Sequence, residues 1–513
     1  MSDQLKSVNG NADPLWAQTE LAIREHISWG LPRYEKMWAY YRNPIELVRQ
    51  AGLGGDGNGQ GWYRSAQEVG LPTRIVGVGS SLGSGLGSGL VLGGERGRRE
   101  VVIENDIGWR VATMVDFMFG SPVRIESLAE DEKTKQAIED VLEAVWESSG
   151  GISLMQDMAT LGHVFGHVDL LVRVDEEGLV GSRVIDAPEW ISIEPIDARR
   201  GVAVMSSSDY RAVESFAVHV EREVIAEKAR EKGSEKSKPK RHGLGMRKGK
   251  LGHGGKKTKQ SVTEVFTQEG WARFVDGERV DGDVWKLLVG RVPMVHVQNM
   301  SQPFVYSGIG EVESLVGLQD ELNTRLSDRA SRVTMSSFKM YLAKRLDGFE
   351  KMPVGPGRVW ATDDPDASIE SFGGDSSSPS ESEHIGQVRE ALDKVSGVPP
   401  LAGGVVRARI GNLSSATALR ITLMSLLAKT ARKRVTYGAG IEKVSRMVLT
   451  ALDAAGVLRT GPADRGIRLV WPDPQPVDPG DAVLAAKQKA ELGVPGERVL
   501  AELGYGPSDA GVS

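Results

Sequence analysis

The chain has 513 residues, 40% hydrophobic and 26% charged, which is enough for two or more cores and ordinary for a globular protein. Its net charge of −6 gives no overall electrostatic case for nucleic acid, so any DNA contact must come from local patches. Cysteine is absent, which excludes disulfides, thiolate catalysis and cysteine-ligated metals.

The first residues, M-S-D-Q-L-K-S-V-N-G-N-A-D, are polar and lack the apolar core of a signal peptide. No apolar run reaches the length of a membrane helix, so no membrane span and a soluble, cytoplasmic product are expected. Residues 14–52 read as largely helical, with a break at Gly30-Leu31-Pro32 and a turn at Y-Y-R-N-P, where Pro44 pushes the residue before it out of the helical region. Residues 77–98 are so rich in Gly and Ser that a flexible loop is expected. A helix with a largely apolar surface is predicted over 105–120, stopped by Gly120-Ser121-Pro122 and followed by a short V-R-I strand. Residues 131–147 form an amphipathic helix with Ile138, Val141, Leu142, Val145 and Trp146 on its buried side. A third helix, 152–165, leads through Gly166 into the strand H-V-D-L-L-V-R-V-D, and further strands are predicted at 182–185, 190–193 and 213–220. Helices and strands fall in local runs, the mark of an α+β class rather than regular βαβ alternation.

Residues 221–230 read as a charged helical stub. They give way to a basic run, Lys236 to Lys259, that holds no acidic residue. That run could bind nucleic acid or an acidic scaffold, or simply be a solvated excursion. Strands return with V-T-E-V-F-T-Q and W-A-R-F-V-D, and a further strand is predicted over 292–297. After the loop ending at Ser307-Gly308, an amphipathic helix is predicted from Ile309 for about seven turns. Ile309, Val312, Leu315, Val316, Leu322, Leu326 and Val333 would share one face, leaving Gln319, Asp320, Asn323, Arg325, Asp328, Arg329 and Arg332 to the others. Short strands are expected at 339–342, 357–360 and 368–372, then a helix over 382–395 and a loop at S-G-V-P-P-L-A-G-G. A long helix opens at Ser414-Ser415 and runs to about Ala455; the Pro-rich stretch W-P-D-P-Q-P-V-D-P and a pair of short helices close the chain.

Catalytic constellations do not assemble. The Gly-rich stretches lack the G-x-x-x-x-G-K-[ST] of a phosphate loop, because Gly255-Lys256 is followed by Lys257. His163 and His167 stand four apart, as metal ligands can, but Gly162 and Gly166 weaken the helix and no Glu lies between them. Asp169 with Asp175, and Asp363 with Asp364, have no partner His or nucleophile. No metal, no cofactor and no enzymatic activity are expected.

Five segments carry a family resemblance. The passage from 291 to 333, with its L-Q-D-x-L-N core, resembles the wing-to-stem passage of tailed-bacteriophage portal proteins, the head-to-tail connectors. N-D-I-G-W-R-V-A-T-M-V-D-F-M-F-G-S-P-V-R-I and M-A-T-L-G-H-V-F-G-H-V-D-L-L-V-R-V-D resemble the portal wing helices and strand. S-G-V-P-P with N-L-S-S-A-T-A-L-R-I-T-L-M resembles the tunnel loop and the helix after it, although the family's S-G-x-A-L reads S-S-A-T-A-L here. The last helices, from D-A-V-L-A-A-K to A-E-L-G-Y, resemble the family's C-terminal ones. All five occur in the family's order.

The resemblance implies an α+β, portal-type multidomain subunit with an α/β wing, helical stem, small β-rich clip and helical crown, in a closed ring. The implied map is a disordered N-terminus at 1–14, a wing at 15–307 with insertions at 77–98 and 225–260, and a first stem helix at 308–334. The clip would be 335–381, the second stem helix 382–396, the tunnel loop 397–412, the wing-to-crown helix 413–455, and the crown and tail 456–513. The ring, a homo-oligomer of about twelve copies, would sit at a capsid vertex of a virion assembled in the host cytoplasm. Its channel would pass double-stranded DNA without reading sequence, during packaging and ejection. Terminase large subunit, head–tail adaptor and capsid or scaffold protein would be its partners, with no membrane. Such a channel wants weak phosphate contacts, for which Arg325, Arg329, Arg332, Arg407 and Arg409 are candidates. Ordinary salt bridges explain the first three equally well, since Glu321 and Asp328 lie near them. Ile309, Val312, Leu315, Leu322 and Leu326 are candidates for packing between subunits. Two rival readings are another virion head or adaptor protein, and a nucleic-acid-processing enzyme using the basic run.

Overall fold

The structure, a computed structural model, describes residues 13–49, 61–76, 100–209, 212–225, 257–337, 340–344, 365–366, 368–372, 379–403, 416–474, 479–496, 499–500 and 503. Helix α1 (Pro14–Glu25) is capped by Asp13, whose carboxylate accepts from the Leu15 amide. A π-helical turn, His26–Gly30, carries it without a break into α2 (Leu31–Arg42); the Leu31 amide bonds back to His26 O, five residues away, at the place where Pro32 supplies no N–H. Asn43, in the left-handed region at φ 43°, ends α2. The helix expected to reach residue 52 stops there, and β1 (Ile45–Arg49) pairs antiparallel with β2 (Gly61–Ser65).

Helix α3 (Asp106–Phe119) starts under Asn105, whose side chain accepts from the Gly108 amide. Strand β3 (Arg124–Ser127) follows, then α4 (Glu132–Ser148), capped by Asp131 and buried along the expected Ile138, Val141, Leu142, Val145 and Trp146. Helix α5 (Gly151–Phe165) ends at Gly166, at φ 92°, and enters β4 (His167–Val174). No strand forms at 182–185: a single 3-10 turn spans Val184–Asp186, and Ile185 points to solvent. Strand β5 (Ile191–Ile196) joins β4 on one side and β11 (Met294–Gln298) on the other, so β4 is the central strand of three and six of its residues in a row are buried.

A five-stranded antiparallel meander stands beside this sheet: β6 (Gly201–Met205), β7 (Val213–Ile225), β8 (Lys257–Thr267), β9 (Gly270–Val275) and β10 (Glu278–Val284). The helical stub expected from 221 is instead the end of β7, in register with β8 as Ile225↔Lys257. Opposite charges meet there across the pair, Lys259 with Glu221 at 3.4 Å, so the last residues of the basic run belong to a strand. Ile23 of α1, with Trp16 tilted against Phe274, covers a small core of Val202, Ala217, Val265, Ala272 and Phe274.

The helix expected from Ile309 begins later. A 3-10 turn at Glu313–Leu315 leads into α6 (Val316–Ser337), and 308–312 cross over the α5–β4 junction without helical structure. Backbone approach explains the delay. A Cβ on Gly308 would lie 2.6 Å from the Gly166 carbonyl oxygen, and the Glu311 amide donates to His163 O at 2.7 Å. Strand β12 (Met340–Lys344) and β13 (Ser368–Phe372) form an antiparallel hairpin, followed by α7 (Pro379–Ser396) and the 39-residue α8 (Ala416–Ala454). Strand β14 (Ile467–Val470), which the patterning did not mark, returns to pair with β3, and α9 (Pro479–Glu491) follows. The predicted strand at 357–360, the Gly/Ser loop at 77–98 and most of the basic run lie outside the described residues.

One hydrophobic core takes side chains from α3, α4, α5, β4, β5 and β11, from the first turns of α6, from α7, and from the C-terminal half of α8. No helix among the described residues is long and apolar enough to cross a membrane.

Candidate functional site

Helices α6 and α7 lie antiparallel, with the β12–β13 hairpin joining their far ends. Arg332 of α6 pairs with Glu381 near the start of α7, and Glu321 accepts from His384 at 3.0 Å. Closer to the core, Arg389 of α7 pairs with Glu104 at 2.5 Å.

The face of α6 that meets the rest of the chain is largely polar. Gln319, Asn323 and Ser327, at steps of four, are fully buried rather than exposed as the sequence pattern implies. Gln319 donates to Glu104 O at 2.6 Å and accepts from the Ile107 amide. Asn323 donates to Gln67 Oε1 and accepts from the Glu104 amide, and Ser327 Oγ bonds with Val102. Gln67 completes the chain of amides by donating to Tyr40 O and Asn105 Oδ1. A fully satisfied buried network of this kind fixes one register of α6 on the body, which an apolar stripe would leave free to slide. The L-Q-D-x-L-N core supplies it, and the four-residue spacing of Gln, Asn and Ser was the signal available in the sequence.

Val312, Leu315 and Leu322 also lie in the core, with no exposed surface. They are therefore corrected from candidates for packing between subunits to parts of the subunit's own interior. Ile309 is exposed and Leu326 half-buried. Of the arginines on α6, Arg325 is held by Glu321 at 2.7 Å and Asp328 at 3.6 Å, and Arg332 by Glu381. Arg329 is exposed and has no ion-pair partner among the described residues. Arg407 and Arg409 lie outside the described residues.

Two buried ion clusters hold the end of α7 and the middle of α8. Arg110, fully buried on α3, donates to Asp106 Oδ2, Asp393 Oδ1, Ser396 Oγ and Val398 O, all within 2.8 Å. Every contact but Asp106 lies at the end of α7 or just after it. From the other side, Lys429 of α8 donates to Ser396 O at 2.7 Å and to Glu311 Oε2 at 2.6 Å. Lys433, also buried, brings its Nζ to 2.7 Å from Glu311 Oε1, an ion contact whose angle falls short of a hydrogen bond. Burial works to raise the Glu311 pKa, but Lys433 first and then Lys429 outweigh it and hold the carboxyl at about 2. Burial lowers the Lys433 ammonium to about 8 despite the same carboxylate. Asn299, Tyr437 and His163 line the same interior.

His163 and His167 do not converge on a metal position. The His163 ring contacts Ala159 O, and burial lowers its pKa to about 3. His167, lowered to about 4 by burial, lies instead in a cluster with Asp169, His296 and Tyr306. There Asp169 Oδ1 accepts from Tyr306 Oη and bonds with the His296 ring, each at 2.7 Å. Among the described residues no three His, Cys, Asp or Glu side chains are placed to hold a metal ion.

Residues 247–503 match the family described as phage portal protein, SPP1 Gp6-like, and this stretch contains α6, the hairpin, α7 and α8. The chain belongs to this portal protein family. Its function is that of a structural portal component, and the family is non-enzymatic. No curated protein matches the chain. Among solved structures it is similar to a chain titled "Virion of native gene transfer agent (GTA) particle", at 15% identity and a TM-score of 0.42, covering 78% of this chain and 90% of that one. It is also similar to one titled "Neck of empty GTA particle computed with C6 symmetry", at 13% identity and a TM-score of 0.40 with the same coverage. Both are distant likenesses, and the portal assignment rests on the family match and not on them.

Proposed function

We propose that this portal protein is the repeating subunit of a closed ring, of about twelve copies, at one vertex of the capsid of a virion, and that DNA enters and leaves through the central channel. The observation that carries the reading is the helix–hairpin–helix of α6, β12–β13 and α7 within the region that matches the family. In this reading α6 and α7 are the stem and the hairpin belongs to the clip, where terminase and later the head–tail adaptor dock. Residues 397–412 form the tunnel loop, α8 runs from wing toward crown, and capsid or scaffold protein surrounds the wing. Assembly takes place in the host cytoplasm.

The DNA contacts would be to phosphates and independent of sequence, because bidentate base contacts would stall a sliding duplex. Arg329 is the best-placed candidate on α6, since Arg325 and Arg332 already neutralise carboxylates of the same chain. Arg407 and Arg409 remain candidates from their position in the sequence. Native mass spectrometry with negative-stain imaging tests the ring directly. Closed rings with a central hole are expected; a monomer or dimer that persists on co-expression with the capsid proteins would overturn the proposal.

A further inference from the structure

Helix α8 has an apolar face that the described residues leave uncovered. Ile421, Met424, Ala428, Ala431 and Val435 recur at intervals of three and four, the a/d spacing of a helix–helix seam, over about 21 Å. All five are exposed, the three large ones at 66%, 64% and 71%. The opposite face, with Leu426, Thr430, Lys433 and Tyr437, is locked in the core, so the helix cannot turn to hide the seam. Arg432 flanks it, and no acidic residue occurs between 416 and 441. Arg432 also donates to Met300 Sδ at 3.6 Å, which puts the start of the 300–309 loop at the seam's edge. That loop carries the exposed Val305 and Ile309, and Phe304 83% exposed at φ 66°.

We infer that the seam of α8 docks on a second copy of this chain, against the carboxylate-bearing face of α4. The inference rests on the ring reading and adds the surfaces through which the copies meet. A closed ring of identical subunits needs two different, complementary faces on each copy. The face of α4 supplies the complement: Asp140, Glu143 and Glu147 stand exposed at steps of three and four. They rim a groove of about 320 Å³ whose floor includes Val123, Ile125, Ile152 and Met155. Apolar seam meets apolar floor, and Arg432 meets carboxylates. The five residues of the seam fall well short of the roughly 20–30 per side of a stable interface, so the 300–309 loop has to extend it.

Met424→Glu and Val435→Glu place a charge on the seam without touching the core. Far-UV circular dichroism and the melting temperature of both should match wild type, while native mass spectrometry should show ring assembly shifted to about tenfold higher subunit concentration or abolished. Val280→Glu, at an exposed apolar position on β10, should assemble normally. Arg432→Glu and Glu143→Arg should each weaken assembly, and the double variant should assemble better than either single one. Seam variants that form rings at wild-type concentrations would overturn the inference and leave the ring reading intact. Weakened seam variants with no recovery in the double variant would overturn α4 as the counter-surface. If the wild-type chain forms no ring even with its capsid proteins, the ring reading fails and this inference falls with it.

Discussion

Glu311 is the residue whose chemistry is most exposed to mutation. It is a buried carboxylate that balances the buried Lys433 and the half-buried Lys429, so Glu311→Gln leaves the two ammonium groups facing each other without a counter-charge. A loss of about 3–5 kcal/mol is expected, measured by urea unfolding. Its pH dependence has a definite sign. The folded-state pKa is depressed from 4.5 to about 2, so the stabilisation is fully present above the unfolded value and fades as pH falls toward about 2. Acid titration of Glu311→Gln should lack that part of the loss. None of this is readable from the sequence: Glu311 sits between Gly310 and Val312 in an unremarkable run, and its partners are more than a hundred residues away. Arg329 differs in kind, because it is exposed and has no ion-pair partner among the described residues. If it touches DNA phosphates, Arg329→Gln should leave stability within about 0.5 kcal/mol of wild type. It should also flatten the slope of log affinity against log salt by about 0.9 for each phosphate that the guanidinium neutralises.

At the scale of elements, α6 gives the sharpest contrast between pattern and structure. Its apolar periodicity was legible, and it correctly put Leu322 on a buried stripe, but periodicity cannot say whether the surface covering that stripe belongs to the same chain. It does belong here, so Leu322→Asp should unfold the subunit rather than separate subunits, at a cost of about 4 kcal/mol or more. Circular dichroism on the purified variant would separate the two outcomes. The buried amides went unread for a different reason: polar residues between apolar ones look solvent-facing until a partner such as Gln67, some 250 residues earlier in the chain, closes the bonds. Asn323→Ala strands the Glu104 amide and Gln67 Oε1, and a loss of about 1–3 kcal/mol is expected in thermal melts. The boundaries of α3, α4 and α5 were legible because caps and glycines sit in the local sequence, at Asn105, Asp131 and Gly166. Strand β14 was missed because four residues, Ile467–Val470, are too short to show alternation, and only pairing with β3 makes them a strand.

For the whole molecule, the order of segments was more informative than any one of them. Local runs of helix and strand implied an α+β class, and the helix–hairpin–helix after residue 315 follows the predicted order. What order could not give is the extent of the core. Residues in the C-terminal half of α8 share one interior with α3, α4 and α5, and β14 closes onto β3 from the far end of the chain. Removing everything after residue 455 would therefore unpair β3 and strip Leu469 and Trp471 from the core they pack against. Such a truncation should lower the melting temperature by several degrees rather than trim an independent tail, which differential scanning calorimetry would register.

Ser396 lies where three parts of the chain are fastened together. Its hydroxyl accepts from Arg110 and its carbonyl from Lys429, while the 18 residues of α7 extend from it to the hairpin, about 27 Å away. In mechanical terms α7 is a strut with a pinned foot. A push on the hairpin cannot slide such a strut along its axis without breaking charged, water-excluded bonds. Nor can it swing freely about the pin, because Arg332–Glu381 and Glu321–His384 tie its outer turns to α6, so a push on the hairpin is carried by both helices together.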